Sequence, residues 1–345
     1  MMRKLTGLLA ATVVIAGASA VAAQAKTLKL QASQNSGDFT YKYLTEKWAP
    51  KVEEMSGGSL KLEILPTKAV VPHREALKAV AAGILDGDLN AVSYYAGLDP
   101  AYGMLGDLIA AYSDADQPQM FCMNAGGKEV LQKLHDKYTG NKVHVVGCGN
   151  YTNEALVAKK PIRNVAEFQG VKIRSPEGLA AEVFRSVGAA PVAIPFSEVY
   201  TSLEKGVVDA ADASAYINNY ETGLNKVAPY PIYPGIHSMA VLEFIVNNNV
   251  WKKLSKAQQT ILETWYIAAY SDLRRYADIR DRQQVAIDRE GKGDVKEIIS
   301  WTDEERAKFR QAAMKAWAEY AKKSPLAQEV YNTQMKFLKM YGLVK

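Results

Sequence analysis

From Ser255 to about Arg289 the chain reads as one uninterrupted helix. Ser255 followed three residues later by Gln258 has the spacing of a capping box, in which each side chain satisfies a free backbone amide of the first turn. Behind it Ile261, Trp265, Ala268, Tyr276 and Ile279 keep helical spacing. At 1.5 Å per residue such a helix is roughly 50 Å long. That is more than one lobe of a small α/β protein can cover. A chain of 345 residues favours two domains or one large one, and this helix is expected to span both as a spine.

The segments before it alternate strand and helix. Thr27 to Ala32 alternates apolar and polar residues, as a strand with one buried face does. A helix is expected from about Asp38 to Met55, with Phe39, Tyr43, Leu44, Trp48 and Val52 on one face, ended by Ser56-Gly57-Gly58. Leu60 to Leu65 is a second strand, and Arg74 to Ala82 a helix stopped by Gly83. Such alternation points to an α/β fold with a mainly parallel sheet.

A short pattern then occurs twice. Gly83-Ile84-Leu85-Asp86-Gly87-Asp88 and Gly206-Val207-Val208-Asp209-Ala210-Ala211-Asp212 each follow a helix, and each passes through two apolar residues and an acid into a strand. Two lobes of similar construction are expected, one presenting Asn90 to Tyr95 at a strand end and the other Asp212 to Asn219, which includes Tyr216. Facing each other they make a cleft. The boundaries follow: lobe I is 26–150 plus about 240–280, and lobe II is 151–239 plus about 281–345. Between them Gln117 to Tyr138 reads as one helix, Lys142 to Cys148 as a strand, and Asn150 to Glu154 as a crossing between lobes. Helices are also expected from Thr302 to about Lys323 and from Pro325 to Tyr341.

The amino terminus reads differently. Arg3 and Lys4 precede an apolar run, Leu5 to Ala20, and Ala23-Gln24-Ala25 has the small-x-small form of a cleavage site. A secretory signal peptide cut before Lys26 is expected, and hence a periplasmic protein. Without those two basic residues 40 of the 42 remain against 37 acidic ones. They are scattered among acids, which argues against nucleic acid as a partner. Cys122 and Cys148 sit in an exported chain, where a disulfide persists, but spacing leaves their pairing open.

No catalytic motif stands out. The histidines His73, His135, His144 and His237 have no paired metal-ligand spacing, and neither a G-x-S-x-G elbow nor a phosphate loop is present. Binding is therefore expected in place of catalysis, with no cofactor. The binding residue that the pattern singles out is Arg174. It ends the apolar run Val171 to Arg174 just before Ser175-Pro176, and ligands in open α/β sheets sit beyond the carboxyl ends of the strands. Its planar guanidinium matches a carboxylate.

Several blocks together resemble the solute-binding subunits of tripartite ATP-independent periplasmic (TRAP) transporters, the dicarboxylate-binding family. They are Met55-Ser56-Gly57-Gly58, Val80 to Asp88, Tyr94-Tyr95-Ala96-Gly97 with Asp99-Pro100, Gly170 to Arg174, Glu204 to Asp209, Tyr233-Pro234-Gly235, and Val246-Asn247 leading to Trp251. The resemblance implies a two-lobed periplasmic-binding-protein fold of type II-like form, in which Arg174 pairs with the ligand carboxylate, and a sodium-driven membrane permease as partner. It is most similar to the branch that binds 2-oxo and 2-hydroxy monocarboxylates. There an acid followed by tryptophan helps to hold a cation that bridges to the ligand. Asp212 and Ala213 stand at those positions, and the shorter acid and missing ring put the cation in doubt and leave room for a bulkier ligand. His237 and Ser238 also replace residues typical of the branch. Asn153, Asn90, Tyr94, Tyr95 and His237 are expected to give the cleft its hydrogen bonds and walls, and the last helix resembles one exchanged between subunits in some relatives, which implies a homodimer.

Overall fold

The computed structural model describes residues 25–150, 152–236 and 238–345. Among them lie the strands β1 (Lys26–Ala32), β2 (Leu60–Leu65), β3 (Gly87–Ala91), β4 (Val143–Asn150), β5 (Val157–Ala158), β6 (Lys172–Ser175), β7 (Ala190–Ala193), β8 (Ala210–Ala211) and β9 (Val241–Asn247). The first sheet has the order β2-β1-β3-β9-β4 and the second β5-β8-β6-β7. In the first, β1 runs parallel to β2 and β3, whereas β9 returns antiparallel between β3 and β4. The expected signal segment lies outside the described residues, and none of the described helices is long and apolar enough to cross a membrane.

The repeated pattern has a structural counterpart. Gly83 and Gly206 both adopt left-handed backbone, φ +77° and +74°, which glycine reaches without strain. After each, the next amide bonds back into the helix at 2.9 Å, Ile84 to Ala79 and Val207 to Ser202. The acids then repeat one backbone bond to the neighbouring strand: Asp86 N donates to Lys29 O at 3.0 Å and Asp209 N to Lys172 O at 2.7 Å. So β3 beside β1, and β8 beside β6, are built alike.

The spine is the 34-residue helix Lys256–Arg289, with the Ser255–Gln258 capping box in place. Its buried face is Leu262, Trp265, Tyr266, Ala269, Tyr270, Leu273 and Ala277, while Ile279 faces solvent. Trp265 Nε1 donates to Trp48 O at 2.8 Å on the first sheet's side. Asp281 and Asp288 take hydrogen bonds from Ile217 N and Tyr216 Oη, both at 2.7 Å, from the segment that follows β8.

Three local expectations are corrected. The helix over Phe39–Met55 widens into a π turn at Tyr43–Trp48, because Pro50 has no N–H to give the preceding turn. The single helix expected over 117–138 is two, Gln117–Asn124 and Gly127–Thr139, broken where Gly126 takes φ +95°. The helix Pro325–Met340 lies on the first lobe and not the second: Phe337 meets Phe121 with ring centroids 5.6 Å apart, and Lys133 pairs with Glu329 at 2.6 Å. Helix Asp303–Ala321 packs on both lobes, with Phe309 against Phe168 and Phe184 and Trp317 Nε1 donating to Ile109 O at 3.1 Å. Cys122 and Cys148 form a disulfide, Cα atoms 5.6 Å apart, tying helix Gln117–Asn124 to β4.

Candidate functional site

Arg174 stands near the carboxyl end of β6 and is only 5% exposed. Its Nε donates to Ile194 O at 2.7 Å and its Nη1 to Asp212 O at 2.6 Å. These use two of the five donors of the guanidinium and set its plane, with the Phe196 ring 6.0 Å away. The group lines a cavity of about 50 Å³ between the two sheets. The first sheet contributes Ser33 and Gln34 from the end of β1 and Ala91, Ser93 and Tyr94 from the end of β3; the second contributes Arg174, Pro176 and Phe196. The cavity thus lies beyond the carboxyl ends of parallel strands of both sheets, as ligand sites of open α/β folds do.

Its floor is acidic. Asp107, Glu154 and Asp212 are all buried and bring carboxylate oxygens within 4.8 Å of one another. Burial lifts the carboxyls of Asp107 and Glu154 well above the usual range, and repulsion from Asp212 adds to it; Ser238, and for Asp107 also Arg174, oppose the rise. Ser238 Oγ donates to Asp107 Oδ2 at 2.6 Å, and Ser238 O accepts from Glu154 N at 3.2 Å. The Tyr233-Pro234-Gly235 run packs against this crossing so tightly that a β-carbon on Gly235 would collide with the carbonyl oxygen of Glu154.

The cleft is clasped at its mouth. Lys68 and Arg74 of the first lobe pair with Glu198 and Glu177 of the second, both at 2.8 Å. Phe196 N donates to Tyr94 Oη at 3.3 Å between the same lobes.

Of the expected site residues, Arg174 and Tyr94 line the cavity, Asp212 belongs to the carboxylate cluster, and Ser238 bonds to it. The others are elsewhere. Asn90 points to the face of β3 opposite Ala91, as alternation along a strand requires, and donates to His73 O at 2.9 Å and Tyr95 Oη at 2.8 Å. Tyr95 is buried, its hydroxyl donating to Asp88 Oδ2 at 3.1 Å. Tyr216 is spent on Asp288 of the spine. Asn153 lines a separate crevice with Pro234, Arg306 and Arg310. His237 lies outside the described residues. Ala213 packs in a core with Val157, Ile194 and Leu203, so its small size does not enlarge the cavity. Sequence reasoning missed Asp107, Gln34 and Phe196 as wall residues, and took Glu154 only as part of a crossing. Nothing local to Asp107 marks it; Glu154 carried the one available signal, its place where the chain passes between lobes.

Residues 31–324 match the model of the bacterial extracellular solute-binding protein family 7. The chain is 26% identical over 295 residues to the monocarboxylate 2-oxoacid-binding periplasmic protein of Nostoc sp., covering 85% of this chain and 79% of that one. Among solved structures, a TRAP periplasmic solute-binding protein from Rhodobacter sphaeroides, in an open form without ligand, is 37% identical with a TM-score of 0.75, covering 92% of this chain and 99% of its own. A TRAP solute-binding protein from Bordetella bronchiseptica, with calcium and picolinate in its site, shares the fold at 24% identity and a TM-score of 0.79, over 92% and 93% of the two chains. With the cleft, the twin lobes and the spine in hand, the chain belongs to the DctP family, the periplasmic solute-binding subunits of TRAP transporters, which bind small organic acids and work with a membrane permease.

Proposed function

We propose that this protein captures a short organic acid in the cleft between its lobes, with the ligand carboxylate on Arg174 and a hard cation on Asp107, Glu154 and Asp212. The observation that carries the reading is that Arg174, Asp107 and Glu154 line one cavity between the lobes, with Asp212 beside the two acids. A buried carboxylate needs a charged donor, and Arg174 is the basic residue on the wall. Burial and mutual repulsion favour the protonated forms of Asp107 and Glu154, and a cation would let the cluster ionise. Oxygen donors at this spacing suit calcium, which takes carboxylate oxygens in flexible geometry. Glu154 and Asp107 supply the reach that Asp212 lacks alone, and calcium with picolinate in the Bordetella bronchiseptica site points the same way. When bound, the ion supplies charge to the acid's polar end. Arg174 orients the carboxylate, Phe196 and Tyr94 exclude water, and both lobes hold the ligand, so binding stabilises the closed form.

The protein acts by binding and release, not turnover, and passes its ligand to the permease. Export with cleavage before Lys26 agrees with β1 starting at that residue. The helix Pro325–Met340 buries Ala327, Val330, Phe337 and Leu338 within its own chain, so a homodimer through this helix would have to exchange that contact between subunits. Light scattering and the mass of the mature chain test these points.

Calorimetry with three- to six-carbon acids, in calcium and in chelator, tests the main reading. Arg174→Ala is expected to lose acid binding by about 100-fold or more, and chelator to weaken it. Acid binding that survives Arg174→Ala unchanged overturns the carboxylate assignment; binding indifferent to chelator overturns the cation.

A further inference from the structure

Helix Asp303–Ala321 carries Arg306 and Arg310 one turn apart, and both line a crevice of about 420 Å³. The crevice lies behind the crossing between the lobes: Glu154 lines the cleft, whereas its neighbour Asn153 lines the crevice with Pro234, Gly235 and Met239. Both guanidiniums are held by backbone carbonyls. Arg306 donates from Nε to Trp301 O and from Nη1 to Gly235 O, both at 3.3 Å, and from Nη2 to Pro234 O at 3.4 Å. Arg310 donates from Nε to Ala110 O at 2.7 Å, from Nη2 to Ala111 O at 3.1 Å and from Nη1 to Leu343 O at 3.4 Å. A guanidinium has five donors, so among the described residues each keeps two in hand.

Structural arginines of this chain are neutralised by acids. Arg274 of the spine pairs with Asp116, and Arg163 and Arg280 pair with Glu297 and Glu221. Arg306 and Arg310 have no such pair among the described residues; Asp303, which also lines the crevice, acts on Arg306 only through space. Burial lowers both guanidiniums below the usual arginine value, as it does to positive charge withdrawn from water. Charge taken from water is unfavourable until it is compensated. Arg174 in the cleft is fixed in the same manner, by two carbonyls.

We propose that this crevice is a second ligand site, separate from the cleft, in which Arg306 and Arg310 hold a tetrahedral oxyanion, sulfate or hydrogen phosphate. The planar fork of each guanidinium matches a pair of oxygens on such an anion. Two positive charges match a dianion, and the donors in hand match its four oxygens. A monocarboxylate brings one charge and two oxygens and would leave half of them unused. The crevice, about 420 Å³ against roughly 10–15 Å³ for one water, admits the anion together with part of its hydration shell.

Sodium sulfate and sodium phosphate, titrated by calorimetry into the mature protein at one ionic strength set with sodium chloride, are the probes. The wild type is expected to show saturable binding of at least one of them. Arg306→Gln gives up only bonds of 3.3–3.4 Å within the fold and should weaken that binding by about tenfold or more. Arg310→Lys keeps the charge, loses the fork and should weaken it as well. Asp303→Asn removes the opposing charge and should tighten it about twofold. Arg174→Ala should leave it unchanged. Thermal unfolding without added anion shows that each variant is folded; should Arg310→Lys fail that check, Arg306→Gln decides. The inference is overturned by a wild type that binds neither anion saturably, by binding that Arg306→Gln leaves unaltered or Asp303→Asn weakens, or by binding lost in Arg174→Ala, which would put the anion in the cleft. The organic-acid reading stands or falls separately, on the acid panel.

Discussion

Ser238 and Asp107, 131 positions apart, share a buried hydrogen bond of 2.6 Å at the floor of the cleft. That bond gives one of three crowded acids a donor, and without a cation the crowding makes the cluster a source of instability. Glu154→Gln or Asp107→Asn removes one charge from it. Each is expected to raise the stability of the calcium-free protein by about 1–2 kcal/mol and to weaken calcium binding, the usual trade at a functional site. Thermal unfolding with and without calcium checks both signs. For the wild type, calcium at a hundred times its dissociation constant should add about 2.7 kcal/mol.

The pairs Lys68–Glu198 and Arg74–Glu177 join the lobes but are exposed, their side chains 35–54% accessible. Exposed pairs contribute little, each under about 1 kcal/mol. Replacing Lys68 and Arg74 together by Met should leave the melting temperature nearly unchanged and speed ligand release several-fold. Stopped-flow dissociation at low and high salt is the measurement, and the salt dependence of release should shrink in the variant.

Cys122 and Cys148 are 26 positions apart. Closing a loop of that length stabilises by about 3.5 kcal/mol. The double Cys→Ala variant should lose that much in denaturant unfolding and keep its ligand affinity, because neither cysteine lines the cavity.

Burial raises Asp38 to about 6 and Asp281 to about 7, against about 3.9 in an unfolded chain. Between those values the folded protein holds protons that the unfolded chain has released. Their contribution to stability is present below about pH 4 and is lost as pH rises through 6 and 7. Asp107 and Glu154 act in the same direction when no cation is bound. Asp38→Asn with Asp281→Asn should flatten the fall in denaturant-measured stability between pH 4 and 7.

Much of the architecture was readable because its causes are local. The capping box at Ser255, the glycine stops at 83 and 206 and the alternation of Thr27 to Ala32 each act within a few residues. The π turn before Pro50 and the break at Gly126 were less readable, since a proline or glycine inside a helical pattern permits several outcomes and packing selects one. In the site, Arg174 and Tyr94 were reached through strand ends and family likeness. Asn90 and Tyr95 were misplaced because strand position alone does not say which face meets the cleft.

By itself the sequence determined the two-lobed α/β construction, the spine and the basic residue at the end of β6, all of them consequences of period, capping and backbone geometry over short stretches. Only the tertiary structure decided that Asp107, Glu154 and Asp212 meet beside Arg174 and that Gln34 lines the same cavity. Those residues come from separate segments of the chain, and their distances are set by how two lobes close on each other, a relation that no local pattern encodes.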